Sequence, residues 1–271
     1  MAQNDTPRGI PRDQPPVRGH RPPIGEPVLD RAFRLLGCFD PANRSLSLTS
    51  LSVRAGLPKA SALRLARKLV EWGALERTEN GDYTIGLRLL EIASLAPRGH
   101  GLRATALPYM EDLHHATGQH VLLAVRDGHE AVLIERLSAR GAGRVLYRVG
   151  GRMPLHSTGV GLILLAHAPV PVQEEILDSD LTDDPADDRP NGRDLRARLA
   201  AARREGVAIS SRAQPDPMTS VAAPILDRHR TTIAALSVIT RSGQVEPAVL
   251  TPAVVAVARA ISRAMSDDLS S

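Results

Sequence analysis

Between Ser47 and Ile85 the sequence runs through a helix, a glycine turn, a basic helix and a hairpin, and this order constrains the fold more than any other feature. Gly56 stands where a helix ends in a left-handed residue, and Pro58 stands where the next helix begins. Apolar residues recur at spacings of three and four in the first helical segment: Leu48, Leu51 and Ala55. Two short helices joined by a tight turn are therefore predicted.

The second predicted helix has an apolar and a basic side. The apolar side consists of Ala62, Leu65, Ala66 and Leu69. From Leu75 to Ile85, two short strands joined at Asn80-Gly81 are predicted, because Asn-Gly is a strong hairpin signal. A basic helix face alone is usually only a solvated surface. Together with the turn and the hairpin, however, it indicates a winged helix-turn-helix, a module that reads DNA.

The candidate DNA-contacting residues lie on this second helix and in the hairpin. They are Lys59, Ala60, Ser61, Arg64, Arg67, Lys68, Arg77 and Asn80. Lys59, Ser61 and Arg64, near the start of the helix, are expected to read base edges. The remaining cations and Asn80 are expected to hold phosphates.

The chain resembles the IclR family of bacterial transcriptional regulators. The likeness is carried by Gly56-Leu57-Pro58-Lys59-Ala60-Ser61, Arg64-Leu65 and Tyr83-Thr84-Ile85-Gly86, and it continues from about Val28 to about Met265. The resemblance implies a mainly α winged helix-turn-helix domain followed by an α+β, GAF-like effector-binding domain with a mixed or antiparallel sheet. It also implies a homodimer or a homotetramer built as a dimer of dimers.

The charge distribution bears on the kind of partner. Of the net charge of +4, residues 28–91 supply ten Lys and Arg against seven Asp and Glu, and residues 1–27 supply four against three. A basic excess in the N-terminal third is expected if that part meets phosphates. Aromatic residues make up only 2% of the chain, which argues against base stacking on single strands. The expected partner is a double-stranded DNA operator.

Composition and periodicity divide the chain into four parts. Residues 1–27 have almost nothing apolar to bury and are predicted to be a disordered tail. The winged helix-turn-helix domain is expected over 28–86, a linker helix with a break over 87–101, and an effector-binding and oligomerisation domain over 102–271. The acidic run 178–191 lacks the Gly and terminal Glu of a calcium loop and is predicted to be a solvated loop.

The second domain alternates helical and strand periodicities, which indicates an α+β fold. Helices are predicted over 102–117, 160–167, 172–177, a segment ending at Gly206, and 247–265. Strands are predicted over 120–126, 130–137, 144–149, 207–211, 220–226 and 233–240.

The family resemblance implies an effector pocket around the loop Leu155-His156-Ser157-Thr158-Gly159. The implied contacts are Leu146, Met153, Ser157, Thr158, Gly159, Ser220 and Ser237. In this chain Ser220 stands where many members have Cys, Leu162 replaces a common Lys, and 210–217 lacks the usual acidic run. These losses of polar groups favour an effector that is bulkier or less charged than a small acid. An equal alternative for each serine is that it is only a strand residue whose hydroxyl is hydrogen-bonded within the domain.

No catalytic, cofactor or metal pattern stands out. The chain has no nucleophile elbow, phosphate loop or metal-ligand spacing, and His114, His115 and His120 are expected to diverge. The single cysteine, Cys38, excludes an intramolecular disulfide and is predicted to be a core residue. No apolar run approaches the length needed to span a membrane, and a cytoplasmic protein is expected.

These features predict a ligand-responsive DNA-binding transcriptional regulator, and repression is favoured because most members of the family repress. Two alternatives stay open. One is a small-molecule-processing enzyme built on the C-terminal domain. The other is a constitutive DNA-binding protein whose second domain only oligomerises.

Overall fold

The computed structural model describes residues 26–96, 99, 101–179, 192–213 and 216–267. These residues form two compact units, divided between Ile92 and Ala93. The predicted tail, except for its last two residues, and most of the acidic run lie outside the described residues.

The first unit is built from three helices, three short strands and the start of a fourth helix. In chain order these are α1 (Val28–Leu36), β1 (Ser45–Leu46), α2 (Leu48–Arg54), α3 (Lys59–Trp72), β2 (Leu75–Arg77), β3 (Tyr83–Ile85) and α4 (Leu87–Ser94). Ser47 caps α2, because its hydroxyl accepts a hydrogen bond from the Ser50 N–H at 3.1 Å. Gly56 has a φ of +61°, which confirms the predicted left-handed end of the first helix.

The predicted hairpin is present as β2 and β3, and β1, which was not predicted, pairs with the other side of β3. Its turn is longer than the two residues expected. The Thr78 N–H donates to the Asp82 carbonyl at 2.8 Å and the Gly81 N–H donates to the Thr78 carbonyl at 2.9 Å. The wing therefore extends beyond the strands through Glu79 and Asn80.

The core of the first unit is a cluster drawn from all three helices and the small sheet. Its largest fully buried side chains are Leu35, Leu51 and Leu75. Cys38 belongs to it, as predicted, and burial raises the pKa of its thiol. Val28 contributes little to this core, because this residue is 56% exposed. It lies in the first turn of α1, and Leu35 is the only residue of that helix to be fully buried.

Within the described residues, the second unit contains five helices and six strands. They are α5 (Leu102–Thr117), β4 (His120–Asp127), β5 (Glu130–Leu137), β6 (Arg152–Pro154), α6 (Gly159–Ala166), α7 (Val170–Asp178), α8 (Gly192–Glu205), β7 (Ala208–Arg212), β8 (Met218–Leu226), β9 (Thr232–Arg241) and α9 (Pro247–Asp267). The sheet order is β6-β5-β4-β9-β8-β7, and every pairing described in it is antiparallel. The antiparallel form of the prediction is confirmed, and the mixed form is wrong.

The strand predicted over 144–149 is also wrong. The edge position beside β5 is taken instead by β6, with Met153 opposite Ala131. Just before β6, Gly150 and Gly151 exchange hydrogen bonds with Leu133 at 2.8 and 3.0 Å. Because these glycines occupy the edge of β5, the alternating residues before them have no free strand to pair with.

The sheet has a different layer of helices on each face. One apolar cluster includes residues of α6, α7 and α8, and the other includes residues of α5 and α9. Alternate residues of the central strands face opposite layers, as the period of two requires. In β8, for example, Ala222 belongs to the first cluster, whereas Val221 and Ala223 belong to the second.

Helix α9 covers one face of the sheet and is unusually apolar. By length and composition alone, Pro247–Ser266 could cross a membrane, so the expectation that no apolar run approaches that length is wrong. One side of it is buried against the sheet and α5 through Leu250, Val254, Ala258 and Ile261. That one-sided burial is the pattern of a core helix in an α+β domain.

Candidate functional site

The exposed side of α3 carries most of the predicted DNA-contacting residues. Lys59, Ala60, Arg64, Arg67 and Lys68 are exposed, and Ser61 is half-buried. The side chains at 60, 64 and 67 follow a spacing of four and three, so they share one side of the helix, opposite the buried Ala62, Leu65 and Ala66.

Three of these cations have no internal partner. Within the described residues, Lys59, Arg64 and Arg67 make no ion pair or side-chain hydrogen bond. Lys68 differs, because its Nζ lies 2.7 Å from Glu71 Oε2. The unpaired charge is therefore concentrated on the first three turns of α3.

The wing presents one further cation. Arg77 Nε donates to the Gly81 carbonyl at 3.2 Å, and its guanidinium lies 6.0 Å from the centre of the Tyr83 ring. These contacts hold the guanidinium against the turn that exposes Asn80. An exposed basic helix beside an exposed basic wing suits major-groove entry with flanking phosphate contacts.

The second unit contains a cavity of about 620 Å³, counting the space at its mouth, on the sheet face covered by α6. Its floor is formed by residues of four strands: Leu122, Ser210, Arg212, Met218, Ser220, Ser237 and Ile239. Residues 144–147 form one wall, and Met153 with residues 157–160 forms the other. The segment wrongly predicted as a strand thus contributes a wall of the cavity.

All seven residues predicted to contact an effector line this one cavity. Ser237 is 1% and Ser220 9% exposed, and neither hydroxyl has a hydrogen-bond partner among the described residues. Thr158 differs, because its hydroxyl donates to the Pro154 carbonyl at 2.9 Å and accepts from the Gly161 N–H at 3.1 Å as the cap of α6. Leu146, at 43% exposed, lies at the rim.

The start of α6 passes very close to the sheet floor. A Cβ at Gly159 would lie 2.3 Å from Ser220 Oγ and 3.4 Å from Ala222 Cβ. Ser210 Oγ donates to the Ser157 carbonyl and ties the loop to β7. Because of this close approach, a residue larger than glycine at 159 would collide with the Ser220 hydroxyl.

The sequence-based prediction missed the two arginines of the cavity, Arg144 and Arg212. Arg212 ends β7, and Arg144 lies in the segment predicted as a strand. The available signal was a cation in the 210–217 run, where the family resemblance led us to expect acidic residues.

His120 fixes the segment that forms the first cavity wall. The Ala139 N–H donates to its Nδ1 at 3.1 Å, so the proton lies on Nε2, which donates to the Gly143 carbonyl at 3.0 Å. Burial lowers the pKa of His120, an effect partly opposed by its hydrogen bond to Gly143. No group of three or more His, Cys, Asp or Glu among the described residues is placed to hold a metal ion.

A winged helix-turn-helix with an exposed basic helix, joined to an α+β unit that contains a mostly apolar cavity, defines a class: DNA-binding regulators that respond to a ligand. The family models for the IclR helix-turn-helix domain and for the C-terminal region of bacterial IclR transcriptional regulators match residues 28–79 and 96–267. The chain therefore belongs to the IclR family, as the sequence resemblance indicated, and is a DNA-binding transcriptional regulator of the IclR type.

Relatives are similar over most of their length. The HTH-type transcriptional regulator XynR of Escherichia coli K12 is 29% identical over 82% of this chain and 89% of its own. The transcriptional repressor IclR of the same organism is 27% identical over 83% and 86%. A crystal structure of an IclR homolog from Microbacterium hydrocarbonoxydans, complexed with 4-hydroxybenzoate, is 32% identical with a TM-score of 0.81, covering 88% of this chain and 99% of that one.

Proposed function

We propose that this regulator is a repressor whose affinity for its operator is set by a small organic effector bound in the cavity of the second unit. The observation that carries the proposal is the pair of buried hydroxyls of Ser220 and Ser237, which have no partner among the described residues and line a cavity with mostly apolar walls. Such hydroxyls favour a ligand that supplies the missing hydrogen bonds.

Lys59, Ser61 and Arg64 read base edges, and Arg67, Lys68, Arg77 and Asn80 hold phosphates. The support is the exposure of all these residues except Ser61, which is half-buried. In the part of the chain that the structure describes, Lys59, Arg64 and Arg67 also have no ion-pair partner. A dimer would place two copies of α3 in successive major grooves of a nearly palindromic operator.

The effector contacts Leu146, Met153, Ser157, Thr158, Gly159, Ser220 and Ser237. The mostly apolar lining of the cavity suits an effector with an apolar body. The similar Microbacterium protein was crystallised with 4-hydroxybenzoate, which supports an effector of about that size. The effector controls DNA binding only if it prefers one of two arrangements of the protein.

The proposed domain limits are 28–86, 87–101 and 102–271, in a cytoplasmic homodimer or dimer of dimers. The exposed apolar side chains of Leu87, Leu90 and Ile92 on α4 support pairing of subunits through the linker. We assign no catalytic activity, because the relatives named above are regulators.

The test is fluorescence-anisotropy binding of the full-length protein to the DNA upstream of its own gene, against a scrambled duplex, at about 50 to 200 mM salt. A preference of about 10³-fold or more is expected for the upstream DNA. Adding 4-hydroxybenzoate and related acids should then change that affinity. Equal, weak and steeply salt-dependent binding to both duplexes would count against a specific operator at this position.

The two alternatives give different results in the same assay. A constitutive DNA-binding protein would keep its operator affinity with every compound of a broad panel. An enzyme would consume a compound that binds, which chromatography of the incubated mixture would detect.

A further inference from the structure

We infer that Arg212 makes the cavity selective for an organic anion, and that it orients this effector with its acid group at the Arg212 end and its second polar group at Ser220 and Ser237. This inference rests on the proposed function, because it concerns the effector of the same cavity. It names a specificity-determining residue that the sequence did not point to.

The first support is the charge of the lining. Arg144 and Arg212 are its two charged residues, and no carboxylate from the described residues lines the cavity. A cleft with apolar walls and charge of one sign concentrates ligands of the opposite sign. The segment 210–217 lacks the acidic run that is usual in the family, but the cavity is not neutral, because this segment contains Arg212.

The second support is the state of the guanidinium. Arg212 Nε is buried and has no hydrogen-bond partner among the described residues. Its Nη2 reaches only the carbonyl oxygens of Arg144 and Asp216, at 3.5 and 3.4 Å. Both distances exceed the usual range for N–H···O bonds. A guanidinium offers five donors in a planar fork that matches a carboxylate, and among the described residues most of the Arg212 donors have no closer partner.

The third support is the position of Arg212 along the floor. Arg212 pairs with Met218, Ser210 with Ser220, and Ser237 with Ala222. Measured along β8, the Arg212 position is therefore two residues, or about 7 Å, from Ser220. It is four residues, or about 13 Å, from the position of Ser237. Because Met218, Ser220 and Ser237 all line the same cavity, this row runs along its floor.

This spacing defines the chemical class of the effector. An acid group held by Arg212 and a hydrogen-bonding group held by the serines must be separated by an apolar spacer. Ile239, which pairs with Ser220, lies between the two ends, and Leu122 and Met153 line the same cavity. These apolar side chains suit an aromatic ring or a short alkyl chain. The expected ligands are aromatic or medium-chain carboxylates that carry a second polar group.

The experiment compares each acid with its uncharged amide of the same shape. Binding of 4-hydroxybenzoate, 4-hydroxybenzamide and benzoate, and of two longer hydroxyaryl acids with their amides, is measured calorimetrically on full-length protein. The variants are Arg212→Met, Arg212→Lys and Ser237→Ala. The control is Arg204→Gln, which removes an exposed arginine of α8 that pairs with Glu205 outside the cavity. Circular dichroism and melting curves confirm that each variant is folded.

In the unchanged protein the acids should bind about tenfold or more tightly than their amides, as a charge-assisted hydrogen bond provides. Arg212→Met should abolish this ratio, Arg212→Lys should keep part of it, and Arg204→Gln should leave it unchanged. Ser237→Ala should remove the advantage of 4-hydroxybenzoate over benzoate and leave the ratio of acid to amide intact.

Three results would overturn the inference. Equal binding of acids and amides would remove the charge selection. If Ser237→Ala removed the preference for acid over amide and Arg212→Met kept it, the acid group would lie at the serine end and not at Arg212. Failure of every acid to bind at about 5 mM would exclude a usable anion site. If acids and amides change the operator affinity equally, this inference fails. The proposed function is still supported in that case, because a ligand controls DNA binding.

Discussion

At the scale of single residues, Arg64 and Arg67 lie three positions apart on the exposed side of α3, and neither has a partner among the described residues. We expect Arg64→Ala to weaken operator binding by about 1–3 kcal/mol, with less effect on scrambled DNA, because a base contact is lost. Arg67→Ala should weaken binding to both duplexes alike and reduce the salt slope. Anisotropy titrations on both duplexes measure these changes, and equal losses for Arg64→Ala would place Arg64 on a phosphate.

His120 gives a prediction on pH. Its pKa lies below the ordinary value because the ring is buried. Between the lowered and the ordinary pKa, the unfolded chain binds a proton that the folded chain does not, so falling pH favours unfolding. The stability that neutral His120 provides is complete above the ordinary pKa and is lost as the pH falls toward the lowered one. Arg136 and His114 lie near the ring and add to this effect.

His120→Leu tests this prediction. At about pH 7.5 the substitution should lower the free energy of unfolding by about 1–3 kcal/mol, because two buried hydrogen bonds are lost. At about pH 5.5 the difference from the unchanged protein should be smaller, since protonation already costs the unchanged protein part of this stability. Urea titrations at one protein concentration measure both values. A difference that stays constant with pH would contradict the role given to His120.

At the scale of elements, the close approach of β3 to the end of α3 depends on a glycine. A Cβ at Gly86 would lie 2.2 Å from the backbone oxygen of Gly73. Gly86→Ala should therefore destabilise the first unit by about 1–3 kcal/mol through a forced backbone shift. The single tryptophan, Trp72 in α3, reports unfolding of this unit by fluorescence. Gly37→Ala is the control, because its Cβ would make only ordinary contacts at 3.5 Å.

The elements also show what sequence patterns can and cannot predict. Helices such as α3 and the paired strands β4 and β5 were predictable, because their apolar periodicity reflects burial on one side. Residues 144–149 alternate just as a strand does, but strand formation needs a free neighbour, and β6 had taken the edge of β5. The seven predicted effector residues proved to share one cavity. Arg212 escaped notice because its role depends on strand register, which no local pattern contains.

At the scale of the whole molecule, effector binding and operator binding should be separable by one substitution. Gly159→Ala would place a methyl group 2.3 Å from Ser220 Oγ, where the effector is proposed to bind. We expect effector affinity to fall about tenfold or more, while operator affinity without effector stays unchanged. Calorimetry and anisotropy measure the two affinities. Gly101→Ala, where a Cβ would meet nothing within 4 Å, should change neither, and an equal loss of DNA binding in Gly159→Ala would refute the separation.

The alternation along β8 and β9 has a consequence for how such a regulator can diversify. Residues that line the cavity, such as Ser220 and Ser237, alternate with residues that face α5 and α9, such as Val221 and Val238. Because the two sets point to opposite faces of one sheet, mutations can replace the first set without touching the packing of the second. During evolution, such a regulator can thus acquire a new effector by changing a few cavity-lining positions, while α5 and α9 keep their packing on the other face of the sheet.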